Sequence, residues 1–190
     1  GNYVEYRFLD VMHMNIEFWS GNNNAIYIAD LMANGNHRGI LNLGGKSPDP
    51  ANIALNKLSI ANTNSNLANR STDGDKSDPA KFWEPLNGEG KKNDWWQVDL
   101  GNINELYKIN VYSYSGNYHD WFSKFHIDIS TDAVTWNTVA TENDWDASRN
   151  GGQVVSYLFN PVQARYVRIV SDVDQNFVKL QEVEVFRILP

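Results

Sequence analysis

Residues 95–101 read WWQVDLG, and in this stretch Trp96, Val98 and Leu100 alternate with polar residues. A period of two is typical of a β-strand with one face in a hydrophobic core and the other towards solvent. The same alternation returns at residues 125–129. Turn-forming residues separate such segments at short intervals, so the sequence predicts an all-β fold. Further strands are predicted at residues 107–114, 135–140, 154–159 and 165–170.

The segment near the C-terminus changes its alternation partway. Val178 and Leu180 share one parity, whereas Val183 and Val185 share the other. We therefore predict a β-bulge or bend between them, at Glu182.

A compositional boundary lies at residues 44–50, where two glycines and two prolines interrupt every pattern. Upstream, residues 12–18 alternate as one strand, and residues 26–32 fit either a strand or a short helix. We therefore divide the chain into residues 1–50, an N-terminal β-rich segment, and residues 51–190, the main β-sandwich. The first part is either the tail of a preceding β domain or a set of additional strands on the main one.

The composition excludes several classes of protein. Apolar residues make up 42% of the chain and charged residues 21%, which is ordinary for a folded domain. The chain has 16 basic and 23 acidic residues, a net charge of −7, and its basic residues form no run. This argues against nucleic acid, polyanionic glycans and anionic lipid headgroups, and it favours neutral ligands. Without cysteine, the chain has neither disulfides nor thiolate metal sites.

The ends of the chain suggest processing. No stretch approaches the roughly 18 consecutive apolar residues of a transmembrane helix, and no basic-then-apolar leader is present. The chain opens with Gly1 and Asn2 and lacks an initiator Met. We therefore expect a trimmed part of a larger secreted or cell-surface protein.

A series of short motifs follows a fixed order from Asn52 onward. The first is residues 52–57, which we interpret as the opening strand; the others are residues 68–75, 82–83, 95–101, 130–132, 135–136, 164–169 and 180–186. In this order the motifs resemble the discoidin family, which includes the C-terminal domains of coagulation factors V and VIII and the family 32 carbohydrate-binding modules of bacteria. The resemblance implies an eight-stranded jelly-roll β-sandwich of the galactose-binding-domain-like type, with a ligand site formed by loops at one end.

Most residues of these motifs are expected to be structural. Alternating aromatic residues in strands normally pack inward, so the predicted core includes Trp96, Trp136, Tyr166 and Val183. Arg165 and Arg168 are predicted to lie at strand edges or in ion pairs.

The turn at residues 72–75 places two carboxylates two residues apart, with Ser77 close behind. Ca²⁺ takes about six to eight oxygen ligands, so an oxygen-rich loop of this kind suits it. The alternative is an Asp-Gly turn that only reverses the chain. In the bacterial modules that this chain resembles, the corresponding turn and the Glu of the final strand hold a structural calcium. The resemblance therefore implies a calcium site at Asp73, Asp75, Ser77 and Glu182.

The polar loop at residues 115–121 carries two aromatic rings, an imidazole and a carboxylate. Rings stack on the apolar face of a sugar while polar side chains bond its hydroxyl groups. The predicted ligand-binding residues here are Asn117, Tyr118, His119, Asp120 and Trp121. For Trp121 the alternative is a ring packed over the end of the sandwich. Trp145 and Phe177 are added from two further loops that we expect at the same end.

The resemblance also bears on specificity. Galactose-binding relatives usually carry an Arg at the start of the first loop, where this chain has residues 112–114, Tyr-Ser-Tyr. This departure argues against galactose.

The sequence therefore predicts a noncatalytic carbohydrate-binding module that binds a neutral glycan. No Ser, His and Asp set forms a nucleophile elbow, and no His pair has zinc-ligand spacing. Residues 44–47 fail as a phosphate loop, since Ile40 stands where a glycine is required. The alternative function is a protein-binding cell-adhesion domain or a structural spacer.

Overall fold

β-strands form most of the secondary structure. The computed structural model describes residues 14–19, 25–31, 37–38, 43, 46–86, 90–114, 124–143, 154–174 and 179–189, with the backbone alone described before residue 43. Within these residues the strands are β1 (Met14–Trp19), β2 (Ala25–Leu31), β3 (His37–Arg38), β4 (Ser59–Ala61), β5 (Trp95–Ser113), β6 (Phe125–Ser130), β7 (Asn137–Glu142), β8 (Val154–Ser171) and β9 (Leu180–Arg187). A 3₁₀ helix spans Ser65–Thr72. None of the described residues forms a helix long and apolar enough to cross a bilayer.

Two long strands, β5 and β8, each contribute to both layers of the sandwich. Residues 95–99 of β5 pair with β4 and with the second half of β8, which also pairs with β6, and β7 completes this front sheet. Residues 106–112 of β5 pair with β9 and with the first half of β8, whose other edge holds β3, in the back sheet. The β5–β8 register shifts between Asp99 and Asn104, where Gly101 has a φ of 86°. The sequence predicts two strands in place of each long one, because a turn between two strands and a bend within one strand look alike in sequence.

The inward faces of the two sheets enclose one hydrophobic core. Trp96 and Val183 are fully buried in it, which confirms two of the four core predictions. The predictions for Trp136 and Tyr166 are wrong, since both rings are only partly buried. Tyr166 lies two residues before Arg168 in β8, so the two side chains share one face of the sheet. The Arg168 guanidinium lies 3.7 Å from the centroid of the Trp136 ring, which places Trp136 on the same face. Both aromatic residues therefore pack on the outer face of the front sheet.

The two arginines of β8 lie on that outer face. Arg165 donates two hydrogen bonds of 2.7 Å to the Asp99 carboxylate, which confirms its assignment to an ion pair. Arg168 lies between the rings of Trp95 and Trp136 and donates to Gln97 Oε1. Stacking and hydrogen bonding thus hold these side chains against the sheet.

The last strand contains the predicted bulge, one residue before the predicted position at Glu182. Tyr112 pairs with Glu182, but the next residue, Ser113, pairs with Leu180, so Gln181 is the extra residue. The slip brings both Leu180 and Val183 into the core, where each has no exposed surface. By contrast, the predicted opening strand at residues 52–57 is wrong, because these residues form turns.

Residues from the N-terminal segment pack on the back sheet. β3 pairs in parallel with Ser156 and Tyr157 of β8. At the opposite edge Pro48 pairs with Ile188. Between these positions, Leu43 is 2% exposed and forms a small apolar cluster with Tyr107, Phe186 and Ile188. The domain boundary at residue 50 stays a prediction, but described residues before it contribute buried contacts to the sandwich.

Replacing Leu43 with Ala is expected to lower the free energy of unfolding by about 2–5 kcal/mol, because the change leaves a cavity in a buried cluster. Denaturant unfolding measures this difference. The matched control is Leu58→Ala, at a side chain that is 66% exposed, for which a change within about 0.5 kcal/mol is expected. Equal effects for the two variants would contradict a structural role for the segment before residue 50.

Candidate functional site

The loops predicted to bind a ligand connect strand ends that lie at one end of the sandwich. Residues 115–123 connect β5 to β6, residues 144–153 connect β7 to β8, and residues 175–178 connect the end of β8 to β9. Phe125, at the start of β6, pairs with Glu142 at the end of β7 and also with the end of β8. In the back sheet the end of β5 pairs with the starts of β8 and β9. We call this end, where all three loops begin and finish, the loop end.

The seven residues predicted to bind a ligand lie outside the described residues. They are Asn117, Tyr118, His119, Asp120, Trp121, Trp145 and Phe177. Their assignment stays a prediction, and the described part of the loop end is the layer of residues at the base of the loops.

Four side chains in this layer form a cluster that we call the loop floor. They are Phe82, Glu84, Tyr114 and Lys179. Trp83, between the first two, is 1% exposed, and its backbone exchanges two hydrogen bonds of 2.9 Å with Leu180. Because side chains alternate along an extended segment, the burial of Trp83 directs its two neighbours away from the core. Pairing with Leu180 also places them beside Lys179.

The loop floor surrounds an ammonium group. Lys179 Nζ lies 4.7 Å from the centroid of the Tyr114 ring and 5.4 Å from that of Phe82. The two rings pack edge to face, with centroids 4.7 Å apart. Glu84 Oε2 lies 3.8 Å from the same Nζ. These distances are those of cation–π contacts and of a loose ion pair.

Sequence reasoning missed the loop floor, because its members come from three segments far apart in the chain. The sequence offered one signal for these residues, which is their position next to other predicted features. Phe82 and Glu84 flank the buried Trp83, and Tyr114 and Lys179 each adjoin one of the predicted ligand loops. Only the pairing of Trp83 with Leu180 and of Ser113 with the same residue brings them together.

The predicted calcium turn folds around Asp75. Its Oδ1 accepts hydrogen bonds from the amides of Ser77 and Asp78 and from the Ser77 hydroxyl. Its Oδ2 accepts one of 3.1 Å from Lys81 Nζ. The two amides and the Lys81 ammonium hold the pKa of Asp75 well below its usual range. Asp75 and Ser77 are thus bonded within the turn, and Asp73 Oδ1 accepts from the Asp75 amide.

Glu182 lies beneath this turn and is fully buried. Its Oε2 accepts a hydrogen bond of 3.2 Å from the Gly74 amide, whereas Oε1 has no hydrogen-bond partner within the described part of the chain. Burial raises the pKa of Glu182 to about 8; the Gly74 amide opposes this shift, and the charges of Asp73 and Glu184 add to it. Gly74 has a φ of 85°, and a Cβ there would lie 2.9 Å from Leu55 Cδ1. Only glycine therefore brings the backbone this close to Glu182 without strain.

The residues of the turn fit a cation in part. A buried carboxylate oxygen without a partner is costly, and a divalent cation would satisfy it. Within the described part of the chain, however, no three His, Asp or Glu side chains gather closely enough to hold a metal. Backbone carbonyl or hydroxyl oxygens would have to complete a site at Glu182 and Asp73.

Comparison with known families places most of the chain in one of them. The F5/8 type C domain model matches residues 56–183. Among curated proteins, no sequence matches this chain.

Solved structures support the same fold. A mutant of the lectin binding domain of lectinolysin, complexed with Lewis b, is 27% identical with a TM-score of 0.61, over 74% of this chain and 98% of that one. Chitosan-binding module 1 of a chitosanase/glucanase from Paenibacillus sp. IK-5 is 26% identical with a TM-score of 0.56, over 71% and 98%. A Streptococcus pneumoniae fucose binding module, 24% identical with a TM-score of 0.59 over 72% and 95%, shares the fold.

Proposed function

Because this chain belongs to the F5/8 type C domain family, we propose that it is a noncatalytic carbohydrate-binding module whose ligand binds at the loop end. The observation that carries the proposal is the loop floor, where two partly exposed rings lie beside a carboxylate and an ammonium group. Rings that stack and polar groups that bond hydroxyls are what a sugar requires. Similar modules are described as binding Lewis b and chitosan, which supports a glycan as the ligand.

The ligand-binding residues we propose above the floor are the seven from the sequence. Trp121, Trp145 and Phe177 would stack on sugar rings, and the polar residues at 117–120 would bond hydroxyl groups. Shallow sites bury little of a hydrated sugar, so single-site dissociation constants of about micromolar to millimolar are expected.

We further propose a structural calcium at the turn above Glu182. Glu182 and Asp73 would contribute carboxylate oxygens. Asp75 and Ser77 would form the turn that supplies the remaining oxygen ligands. The support is the buried Glu182 Oε1, which lacks a partner among the described residues. The ion would supply fixed positive charge beneath the turn, which would hold the segment before the loop floor in place.

The proposed context is a secreted or cell-surface protein, bacterial in origin, in which this module holds other domains on a glycan. Tethering beside further modules would raise its weak single-site affinity without new contacts. The alternative is a protein-binding adhesion domain or a structural spacer, which the following experiment separates from a glycan-binding module.

A broad glycan array tests the proposal. The purified domain is expected to bind a defined class of sugar, and Trp121→Ala, Trp145→Ala or Phe177→Ala is expected to weaken binding at least about tenfold by removing a stacking surface. Val134→Ala, at a side chain 81% exposed in a turn outside the loop end, is the control and should bind normally. A blank array with a folded protein would favour the adhesion or spacer function.

A further inference from the structure

The last residue of β7, Glu142, carries a carboxylate that is buried inside the sandwich at the loop end. Glu142 is 2% exposed. It pairs with Phe125 of β6, and because directly paired residues share one face of a sheet, both side chains point into the core. A carboxylate is a costly way to fill such a position, since an apolar side chain of similar size would pack there without losing its hydration. The position therefore suggests a role other than packing.

The Glu142 carboxylate is hydrogen-bonded on both of its oxygens. Oε2 accepts a bond of 3.0 Å from the hydroxyl group of Tyr157, and Oε1 accepts one of 3.0 Å from the backbone amide of Asn143. Tyr157 is fully buried, and its ring packs edge to face on that of Phe125, with centroids 5.8 Å apart. Hydrogen bonds to a charged acceptor are about twice as strong as those between neutral groups, so the carboxylate is held firmly in this orientation.

The bond between Glu142 and Tyr157 joins the two strands that residues 144–153 connect. Glu142 ends β7, in the front sheet, whereas Tyr157 lies near the start of β8, in the half that belongs to the back sheet. The hydrogen bond therefore crosses the core from one sheet to the other at the base of this loop. Holding the two strands together limits the positions open to the loop between them, which lowers the entropy cost of ordering the loop around a ligand.

We propose that Glu142 and Tyr157 are positioning residues for the ligand site, and that their hydrogen bond holds the base of the loop that carries Trp145. This inference rests on the proposed glycan-binding function and adds to it two residues that do not touch the ligand. It accounts for a buried charge that core packing does not require. Because the pair acts on affinity through the loop, its effect on binding depends on Trp145.

Amide hydrogen exchange of the ligand-free protein, followed by NMR, tests the hydrogen bond without a glycan. Tyr157→Phe removes one oxygen atom and keeps the ring. The Asn143 amide is expected to exchange at least about tenfold faster in this variant, because its acceptor carboxylate loses the bond that orients it. Glu142→Met should have the same effect. Glu142→Gln keeps a side chain that can bond both groups, so its rate is expected to stay within about threefold of wild type.

A glycan array then tests whether the pair acts through the loop. On the glycans that the wild-type protein binds, Tyr157→Phe is expected to lower affinity about three- to tenfold. Made in the Trp145→Ala background, the same change should cost less than about twofold, because the residue it positions is already absent. Tyr107→Phe is the matched control, at a tyrosine that is 3% exposed and packs in the apolar cluster around Leu43. It should change neither the affinity nor the exchange at Asn143.

The outcomes separate this inference from the proposed function. Unchanged exchange at Asn143 in both Tyr157→Phe and Glu142→Met would show that the hydrogen bond does not hold the base of the loop. Equal losses of affinity with and without Trp145 would make the pair a general contributor to stability. Either result beside a positive array would refute this inference alone, whereas a blank array from folded wild-type protein would refute the proposed function and this inference together.

Discussion

Raising the pH of the metal-free protein from about 5 to about 8 is expected to lower its free energy of unfolding, and calcium is expected to reverse that loss. Burial raises the pKa of Glu182 from an ordinary value of 4.5 to about 8. Between these values the folded protein binds a proton that the unfolded chain releases. Stability therefore falls as pH rises, by at most about 1.4 kcal/mol per pH unit for one proton.

Calcium acts on the same carboxylate with the opposite sign. A divalent cation beside Glu182 stabilises its ionised form, so at pH 8 the ion binds the folded protein and not the unfolded chain. At about 100 times its dissociation constant, a ligand adds ~2.7 kcal/mol, which raises the melting temperature of a protein of this size by about 5–10 °C. Thermal melts in calcium and in excess chelator, at both pH values, measure the effect.

The Glu182→Gln variant tests whether the effects of pH and of calcium on stability both depend on this carboxylate. In chelator the variant is expected to be more stable than the wild type at pH 8, because no charge is buried, and its stability should lose the pH dependence attributed to Glu182. It should also lose most of the calcium response. Glu105→Gln, which removes a surface carboxylate paired with Lys46, should keep both behaviours. Identical wild-type melts in calcium and in chelator would contradict the calcium site.

The sequence predicted the fold well where burial follows alternation along one strand. Trp96 and Val183 share their parity with other apolar residues, and both are in the core. The parity change before Val183 predicted a bulge at Glu182, and the extra residue is its neighbour Gln181. Tyr166 was misassigned because its aromatic character was weighed above its parity, which it shares with Arg168. Trp136 precedes β7, where alternation gives no direction, and only the tertiary structure shows its ring against Arg168.

The candidate site was harder to predict from the sequence than the fold, because it depends on contacts between distant segments. The resemblance to bacterial modules paired the turn at residues 72–75 with Glu182, and the structure places that side chain directly under Gly74. Nothing in the local sequence at Lys179 predicts its contact with Phe82, about a hundred residues away along the chain. The four residues of the loop floor share neither a residue type nor a regular spacing along the chain. Such sites become visible only when strand pairing is known.

Gln181→Glu is expected to destabilise the protein by about 3–5 kcal/mol at neutral pH, although the two side chains have nearly the same shape. Gln181 is fully buried at the bulge, and its Nε2 donates to the carbonyl oxygens of Asp75, Asp78 and Lys81, at 3.3, 2.9 and 2.6 Å. These bonds attach the turn at residues 73–81 to β9. A carboxylate in this position would face three carbonyl oxygens with no proton to donate. Denaturant unfolding at neutral and acidic pH measures the cost.

The pH dependence and a matched control make this prediction specific. A carboxyl group forced among carbonyl oxygens has a raised pKa, so the cost should shrink as pH falls and the group regains a proton. Gln97→Glu is the same substitution at another buried residue, 5% exposed, but Gln97 Oε1 accepts hydrogen bonds from Arg168. Burial lowers the pKa of Arg168. A carboxylate at residue 97 would form an ion pair with this guanidinium, so we expect the free energy of unfolding to rise or to change by no more than about 1 kcal/mol. If both variants lost the same stability, the loss would reflect a buried charge in general, and the attachment of the turn through Gln181 would not be its cause.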